Sequence, residues 1–529
     1  MGTKNDVKTK IAGKGLELST NNGESFIRDM FRDRLARELN FHFLVVHQYR
    51  HNINCKLSGA VNAVTEIEDA VPLIHGPSGC AFHHRLTPYK MHAPVRDMCC
   101  TDTDEYDVIY GGESKLHKKI IEIYQRYHPE LIAILQTCVS GIIGDDIQGV
   151  IQDVDVPCEI IHVSSEGFAQ DRWSFGMLVE DYAKPEKDTV KPPAIEAKAR
   201  GCGFMEVMVS LVDQLMEDQD IGEHSVNIEA SDGSGRGLEE ITRLFEKIGV
   251  RINTTFLCCT VDAIKKAPAA VLNIVGWRGT NWAEQMKKKF GTDYLRGSFF
   301  YSGYSIIEST EKFLLDVANK LDLEGEAEEV IRKEKSSALQ ELDKYSKIFK
   351  NYDFALFPLG FFFDPYSVKT YVHDLKIPLK YVCIDTRRIS LPAMTISDDT
   401  TENMIRNMES MLEELDVDVK PELVVNPELS WIAKKVDYIL GDRHRIPNYW
   451  NDDVHIIDTP FSLFYRIGFN GLVELAEYLA WEMKKQRNHS KTIISKFDYD
   501  ETGYPMLADN SRCLASREMW SSMWSLRGE

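Results

Sequence analysis

The sequence predicts an α/β protein of parallel sheets flanked by helices, and three observations carry that expectation. Short apolar runs alternate with amphipathic segments along nearly the whole chain, which is the periodicity of strand–helix–strand units. The chain has 529 residues, 43% of them hydrophobic, enough to bury several cores, and a length prior suggests roughly three or four domains. Breaks in the pattern fall where such units would be joined.

Residues 1–40 precede the rhythm and form an N-terminal extension. Over 41–200 the apolar run "VPLIH" ends in "GPSGC", and "LIAILQT" is followed by "GDDIQGVIQDV", a strand and then a helix. The stretch "AKPEKDTVKPPAIEAKARGCG" from Ala183 to Gly203 is rich in Lys, Pro, Glu and Ala and reads as a linker. A second unit over 201–350 contains "SVNIEA", "GLEEITRLFEKIGV" and "RINTTFL", again strand, helix and strand, and then the strand "AVLNIV", expected beside "RINTTFL". The segment "LEGEAEEVIRKEKSSALQELDKYSKIFKN" has charges at i,i+4 spacing and a thin apolar stripe, which suits a long exposed helix leading into the strand "FALFPLG". That strand opens a third unit over 351–487. Residues 488–529 lose the rhythm but keep two tryptophans, so this C-terminal extension is expected to pack on a partner subunit or on its own domain.

Composition excludes some functions. A net charge of −20 argues against a nucleic-acid partner, because phosphate contacts need clustered Lys and Arg. The first residues lack an apolar signal core and no run approaches a membrane span, so a soluble, cytoplasmic protein is expected. Eleven scattered cysteines do not resemble a disulfide framework; in a reducing compartment, metal ligation or redox chemistry is the better reading.

Three of those thiols stand out. Cys55, Cys80 and Cys138 each follow or adjoin an expected strand and are flanked by small residues: Ser58, Gly59 and Ala60; Gly76 and Gly79; Ser140 and Gly141. Zinc sites use closely spaced ligand pairs, which this trio lacks. Strand-end loops of a parallel sheet converge on one crevice, and glycines admit a bulky ligand to the backbone. An iron–sulfur cluster is such a ligand; three unrelated core thiols are the alternative.

"CKLSGA…VPLIHGPSGCAF", "TDTDEYDVIYGGESKLHKKIIEIYQRYHPE" and "LIAILQTCVSGIIGDDIQGV" resemble, in order and spacing, the component 1 family of nitrogenase and nitrogenase-like oxidoreductases, with the closest similarity to its alpha-type subunits, including the scaffold subunit of cofactor assembly. The likeness is dense from Cys55 to Gly167 and thinner to Arg487. It implies three Rossmann-like domains and a beta-type partner in a heterotetramer. Cys55, Cys80 and Cys138 would be one subunit's share of an interface iron–sulfur cluster, 4Fe-4S or P-cluster-like, with a second, larger iron–sulfur cofactor possible in the family's cavity. An ATP-hydrolysing iron protein would donate electrons; this chain has no GxxxxGK[ST] loop of its own.

The departures from that family are informative. Where dinitrogen-reducing alpha subunits carry a glutamine and a histidine beside the cofactor, this chain aligns Trp173 and Met177. The family's cofactor cysteine falls at Gly276 or Trp277, its cofactor histidine at or near Asp458, and the Gly-Gly-Leu-Arg-type loop becomes "LGFFFDPY" with Phe361, Phe362 and Phe363. Cys258 and Cys259 end the strand "RINTTFL" and are either substitute cofactor ligands or a buried pair of small hydrophobes. The loop "SDGSGRG" is either a phosphate cradle or a helix-starting turn capped by Asp232 or Ser234. His83, His84 and Arg85 either tune the cluster or face a subunit interface, and Asp145 and Asp146 are expected as caps of the helix at Ile147. The resulting expectation is an alpha-type catalytic subunit of a nitrogenase-like reductase that does not reduce dinitrogen, with methylated thioethers or a tetrapyrrole as candidate substrates. The alternatives are a scaffold for building an iron–sulfur cofactor and a noncatalytic α/β binding protein.

Overall fold

The structure is a computed structural model, and it describes residues 55–85, 99–167, 203–229, 235–256, 258–275, 280–297, 304–357, 368–384, 398–427, 429–441, 455–458, 467–488, 498–499 and 505–506. Three parallel sheets with helices on their faces make up its body.

In the first sheet, helix α1 (Lys56–Val64) leads to β1 (Ala70–His75), α2 (Ser78–Arg85) and β2 (Cys99–Cys100). Helices α3 (Glu105–Tyr110) and α4 (Glu113–Tyr127) lead to β3 (Leu131–Gln136), then α5 (Cys138–Ile143), α6 (Ile147–Asp153) and β4 (Glu159–Val163). The strand order is β2-β1-β3-β4, all parallel. Five consecutive residues of β3 are buried, as expected for a strand covered on both faces. Because successive side chains alternate, Leu131, Ala133 and Leu135 pack towards α1 and α7 (Gly203–Gln214), while Ile132 and Ile134 pack against Leu116, Ile120 and Ile123 of α4. At Gly203 a Cβ would lie 1.7 Å from the Lys56 carbonyl oxygen, so only glycine lets α7 come this close to the start of α1.

The second sheet contains β5 (Ser225–Glu229), α8 (Gly235–Lys247), β6 (Arg251–Phe256), α9 (Val261–Lys265), β7 (Leu272–Val275), α10 (Asn281–Phe290) and β8 (Asp293–Arg296), in strand order β6-β5-β7-β8. This corrects the expectation that "RINTTFL" lies beside "AVLNIV": β5 pairs with both and separates them. The chain starts in the middle of the sheet, adds β6 on one side and returns to the other for β7 and β8, an ordering that local periodicity does not encode. Asn227 ties the three strands together, donating to Asn273 Oδ1 at 2.8 Å and accepting from Asn253 Nδ2 at 2.9 Å. Phe256 stacks on Trp282 at 4.2 Å between centroids, inside the core shared with the first sheet.

Helix α11 (Ile306–Leu321) begins in a Ser305–Glu308 capping box, and α12 (Glu324–Phe349) is the long helix expected from the charge pattern. Lys333–Glu329 and Lys347–Asp343 pair at i,i+4 on its exposed face, while Ile331, Leu342 and Phe349 are buried. The third sheet has the order β11-β10-β9-β12-β13. Its strands are β9 (Phe354–Leu356), β10 (Leu379–Ile384), β11 (Glu422–Val425), β12 (Tyr438–Gly441) and β13 (Ile456–Asp458). Helices α13 (Asp398–Glu414), α14 (Leu429–Ala433) and α15 (Gly468–Asn488) accompany it, and a short antiparallel pair, β14 (Asp498–Tyr499) with β15 (Pro505–Met506), lies beyond. Among the described residues no helix is long and apolar enough to cross a membrane.

Candidate metal centre

In the first sheet the chain adds β2 on one side of β1 and then crosses to β3 on the other. The carboxyl ends of β1 and β3 therefore flank the point where strand order reverses, the usual ligand crevice of such sheets. His75 of β1 lies level with Gln136 of β3, and Cys80 and Cys138 follow just beyond.

The Cys80 turn is tightly built. The Cys80 N–H donates to the Pro77 carbonyl at 3.0 Å. A Cβ at Gly76 would lie 2.1 Å from Thr137 Oγ1, so the two strand-end turns touch through a position open only to glycine. Thr137 Oγ1 and Ser140 Oγ each donate to the His75 carbonyl at 2.9 Å, and the Thr137 N–H donates to Ser140 Oγ at 3.1 Å. These bonds anchor the first turn of α5, which begins at Cys138.

Cys55 immediately precedes α1. Gly167 connects this end to the Cys138 turn: its carbonyl accepts the Lys56 N–H at 3.2 Å, and its own N–H donates to Cys138 Sγ at 3.1 Å. The thiol of Cys80 is pushed above its ordinary value, first by burial and then by Cys55, Cys100 and Cys138, which share its neighbourhood. Cys55, Cys80 and Cys100 all pack against the core between the first two sheets.

Among the described residues, no three His, Cys, Asp or Glu side chains converge on a position for a single metal ion. Thiols gathered at one strand-end crevice, close enough for Cys55, Cys100 and Cys138 to act on Cys80, are donors of the kind that hold an iron–sulfur cluster. The N–H···S contact at Cys138 and the apolar core behind Cys55 and Cys80 agree with that chemistry, since hydrogen bonds to sulfur and the apolar surroundings tune such clusters. The residues present fit the cluster.

Behind the Cys80 turn lies a pair that the sequence reading missed. His75 and Asp145 are fully buried; His75 Nε2 lies 2.9 Å from Asp145 Oδ2 and Nδ1 lies 3.1 Å from Thr101 Oγ1. Burial holds the imidazole below its ordinary value against the opposing pull of Asp145. A neutral ring with its proton on Nε2 satisfies the network, donating to Asp145 and accepting from Thr101. Asp145 Oδ1 also accepts the Gly112 N–H at 2.9 Å. Asp145 is thus no helix cap; Asp146 alone takes that role, accepting the Gly149 N–H at 2.9 Å. The physical reason is reach: Asp145 points into the sheet end while Asp146 stands on the helix axis. Cys100 was likewise overlooked, although an apolar cysteine pair directly before "TDTD" is a signal for a strand end.

Elsewhere, Cys259 is buried in the core and its carbonyl accepts the Glu68 N–H at 3.0 Å, while half-buried Cys258 sits in a left-handed turn at φ 54°. Trp173, Met177, Gly276, Trp277, Phe361, Phe362, Phe363, Asp232, Ser234 and the 183–202 part of the linker lie outside the described residues, as do the side chains of His83, His84, Arg85 and Asp458. Around the thiol crevice, Phe82, Tyr106, Ile109, Tyr110 and Ile142 are 60–87% exposed, a concentration of large apolar groups on helices α2, α3 and α5.

Residues 55–179 and 189–480 match the family of nitrogenase component 1 type oxidoreductases. The nitrogenase iron-molybdenum cofactor biosynthesis protein NifE of Methanococcus maripaludis is 30% identical over 308 residues, covering 56% of this chain and 58% of that protein. The nitrogenase molybdenum-iron protein alpha chain of Methanosarcina barkeri is 30% identical over 321 residues, covering 56% and 54%. The matches thus span little more than half the length of these curated relatives. A solved structure titled "Nitrogenase Cp1 at pH 5" superposes with a TM-score of 0.52 at 19% identity, over 83% of this chain and 90% of that one, and shares the fold. With the three parallel sheets and a family match across most of its length, the chain belongs to the nitrogenase component 1 type oxidoreductases.

Proposed function

We propose that this chain is the alpha-type subunit of a nitrogenase-like reductase, in which Cys55, Cys80 and Cys138 hold an iron–sulfur cluster at the interface with a beta-type subunit. The observation that carries this reading is the gathering of the three thiols at the reversal point of the first sheet, beside an exposed apolar surface. A partner seated on Phe82, Tyr106, Ile109, Tyr110 and Ile142 would bury that surface and complete the coordination that one chain leaves open. The cluster supplies one-electron transfer when bound. The chain's own residues hold the thiolates: the Gly76–Cys80 turn and the α5 cap set their positions, Gly167 donates to Cys138 Sγ, and the His75–Asp145–Thr101 network stiffens the backbone behind them.

Electrons would come from an ATP-hydrolysing iron protein and pass towards a reduction site, for which Trp173, Met177 and Phe361 to Phe363 are the candidates by alignment with the family's cofactor loops. Trp173 and Met177 align where the family's dinitrogen reducers carry Gln and His, so those two proton-passing side chains are replaced, and general acid assistance is typically worth roughly 10²–10⁴-fold. The reaction proposed is therefore reduction of a larger, apolar substrate, with methylated thioethers and tetrapyrroles as the classes to test. Cofactor scaffolding is the second reading, favoured by relatives named for iron-molybdenum cofactor biosynthesis. One experiment separates the two: the anaerobically purified complex, given iron protein, ATP and a low-potential reductant, is assayed under dinitrogen and against both substrate classes. Turnover of a thioether or tetrapyrrole without ammonia supports the reductase. Robust ammonia formation overturns the alignment at Trp173 and Met177, and inactivity together with a cluster transferable to another protein favours the scaffold.

A further inference from the structure

We propose that Cys100 is a fourth iron-binding thiolate of this centre, supplied by β2. The inference rests on the iron–sulfur reading above and adds a ligand to it. Strand β2 pairs with β1 with Leu73 level with Cys99 and Ile74 level with Cys100. Side-chain alternation then separates the two cysteines. Cys99 packs on the face covered by α4 and α6, whereas Cys100 packs on the opposite face, against the same core as Cys55 and Cys80.

Cys100 is also tied directly to the turn that presents Cys80. Its Sγ donates to the Gly76 carbonyl at 3.2 Å, and neighbouring Thr101 Oγ1 accepts the Gly76 N–H at 3.0 Å. The Asp102 N–H lies 3.4 Å from Cys100 Sγ, the same kind of N–H···S approach that Gly167 makes to Cys138. Asp102 adopts φ 55°, a left-handed conformation that L-residues other than Asn, Asp and His rarely take, so the chain turns sharply directly after Cys100 and Thr101. Two of the crevice thiols thus carry a backbone donor of the kind that stabilises a thiolate.

The exchange that binding requires is balanced and involves no electron transfer. The S–H bond of Cys100 breaks, an Fe–S bond forms, and the proton leaves to solvent. The Gly76 carbonyl loses the thiol donor but keeps the Thr103 N–H at 3.0 Å, so no buried acceptor is orphaned.

The test uses the full-length chain with its partner, purified anaerobically as wild type, Cys100→Ala, Cys100→Ser and Cys99→Ala. Iron and sulfide content, the EPR spectrum of the reduced cluster and its midpoint potential are read for each. Cys100→Ala is expected to shift the EPR spectrum and potential and to open one iron to added cyanide, while Cys99→Ala matches wild type. Cys100→Ser keeps a hydroxyl for the Gly76 carbonyl, so a shift in both Cys100 variants excludes simple misfolding as the cause. Independently, alkylation of wild-type protein read by mass spectrometry should show Cys100 protected when iron is bound and labelled once iron is stripped. Unchanged spectra in both Cys100 variants, or Cys100 labelling that ignores iron, would overturn the proposal while leaving the three-thiol centre intact. Wild-type protein that holds no cluster at all sinks the underlying reading and this proposal together.

Discussion

Cys138 and Cys383 show how one fold makes two kinds of thiol. Cys138 sits two residues past the end of β3, exposed, with the Gly167 N–H on its sulfur. Cys383 lies inside β10, only 1% exposed, and burial pushes its thiol far above the ordinary range. Both belong to parallel sheets covered by helices, and both sheets reverse their order at a central pair of strands. What differs is register. A residue within a central strand is packed from both faces, whereas one just beyond it projects into the crevice. Thiol chemistry therefore depends on a shift of one or two positions along the chain.

The sharpest way to break this comparison is to remove the thiols singly. Cys55→Ala, Cys80→Ala and Cys138→Ala should each lose most of the bound iron, while Cys383→Ala and Cys158→Ala retain it, as read by iron and sulfide analysis of anaerobically purified complex. Iron loss in only one of the three would contradict a shared cluster. Next in size is the network behind the first crevice. Removing one partner of a buried pair typically costs about 3–5 kcal/mol, so His75→Ala should lower the urea midpoint strongly, whereas His224→Ala, on a half-buried loop residue, should not. Smaller again is Gly76→Ala. A methyl group 2.1 Å from Thr137 Oγ1 must displace the turn, and overpacking of this kind costs about 1–3 kcal/mol. Iron retention should fall with stability in this variant, because the displaced turn carries Cys80.

The mildest expected effect compares two buried carboxylates. Asp145 is partnered by His75, whereas Asp374, near the third sheet, accepts the Ile307 N–H and is raised to about 7 chiefly by burial. A carboxylate with a raised native pKa binds its proton more tightly folded than unfolded. Its stabilisation is complete below the unfolded value of 3.8 and is lost as pH rises through about 7. Asp374→Asn, which keeps an acceptor for Ile307, should flatten the fall in Tm between pH 5 and 8; an unchanged slope would show that another group governs it.

Several elements were legible in the sequence because their signals are local. Charges at i,i+4 spacing and a thin apolar stripe marked α12, the apolar run "FALFPLG" marked β9, and Asp146 stood where a cap belongs. Small residues around Cys55, Cys80 and Cys138 singled out three thiols that the structure gathers around one crevice. The role of Asp145 was misread because its partner, His75, lies 70 positions away in sequence. The place of β6 was misread because adjacency within a sheet is a long-range choice.

The sequence by itself determined the α/β rhythm, the family and the supply of thiols, since apolar periodicity and motif order are properties of the linear chain. Tertiary structure alone decided which thiols meet. Strand order set β2 beside β1, and alternation across that strand sent Cys100 towards Cys80 and Cys99 away from it. The physical reason is that a parallel sheet brings together residues separated by whole helices, and a single-residue change of register moves a side chain to the opposite face.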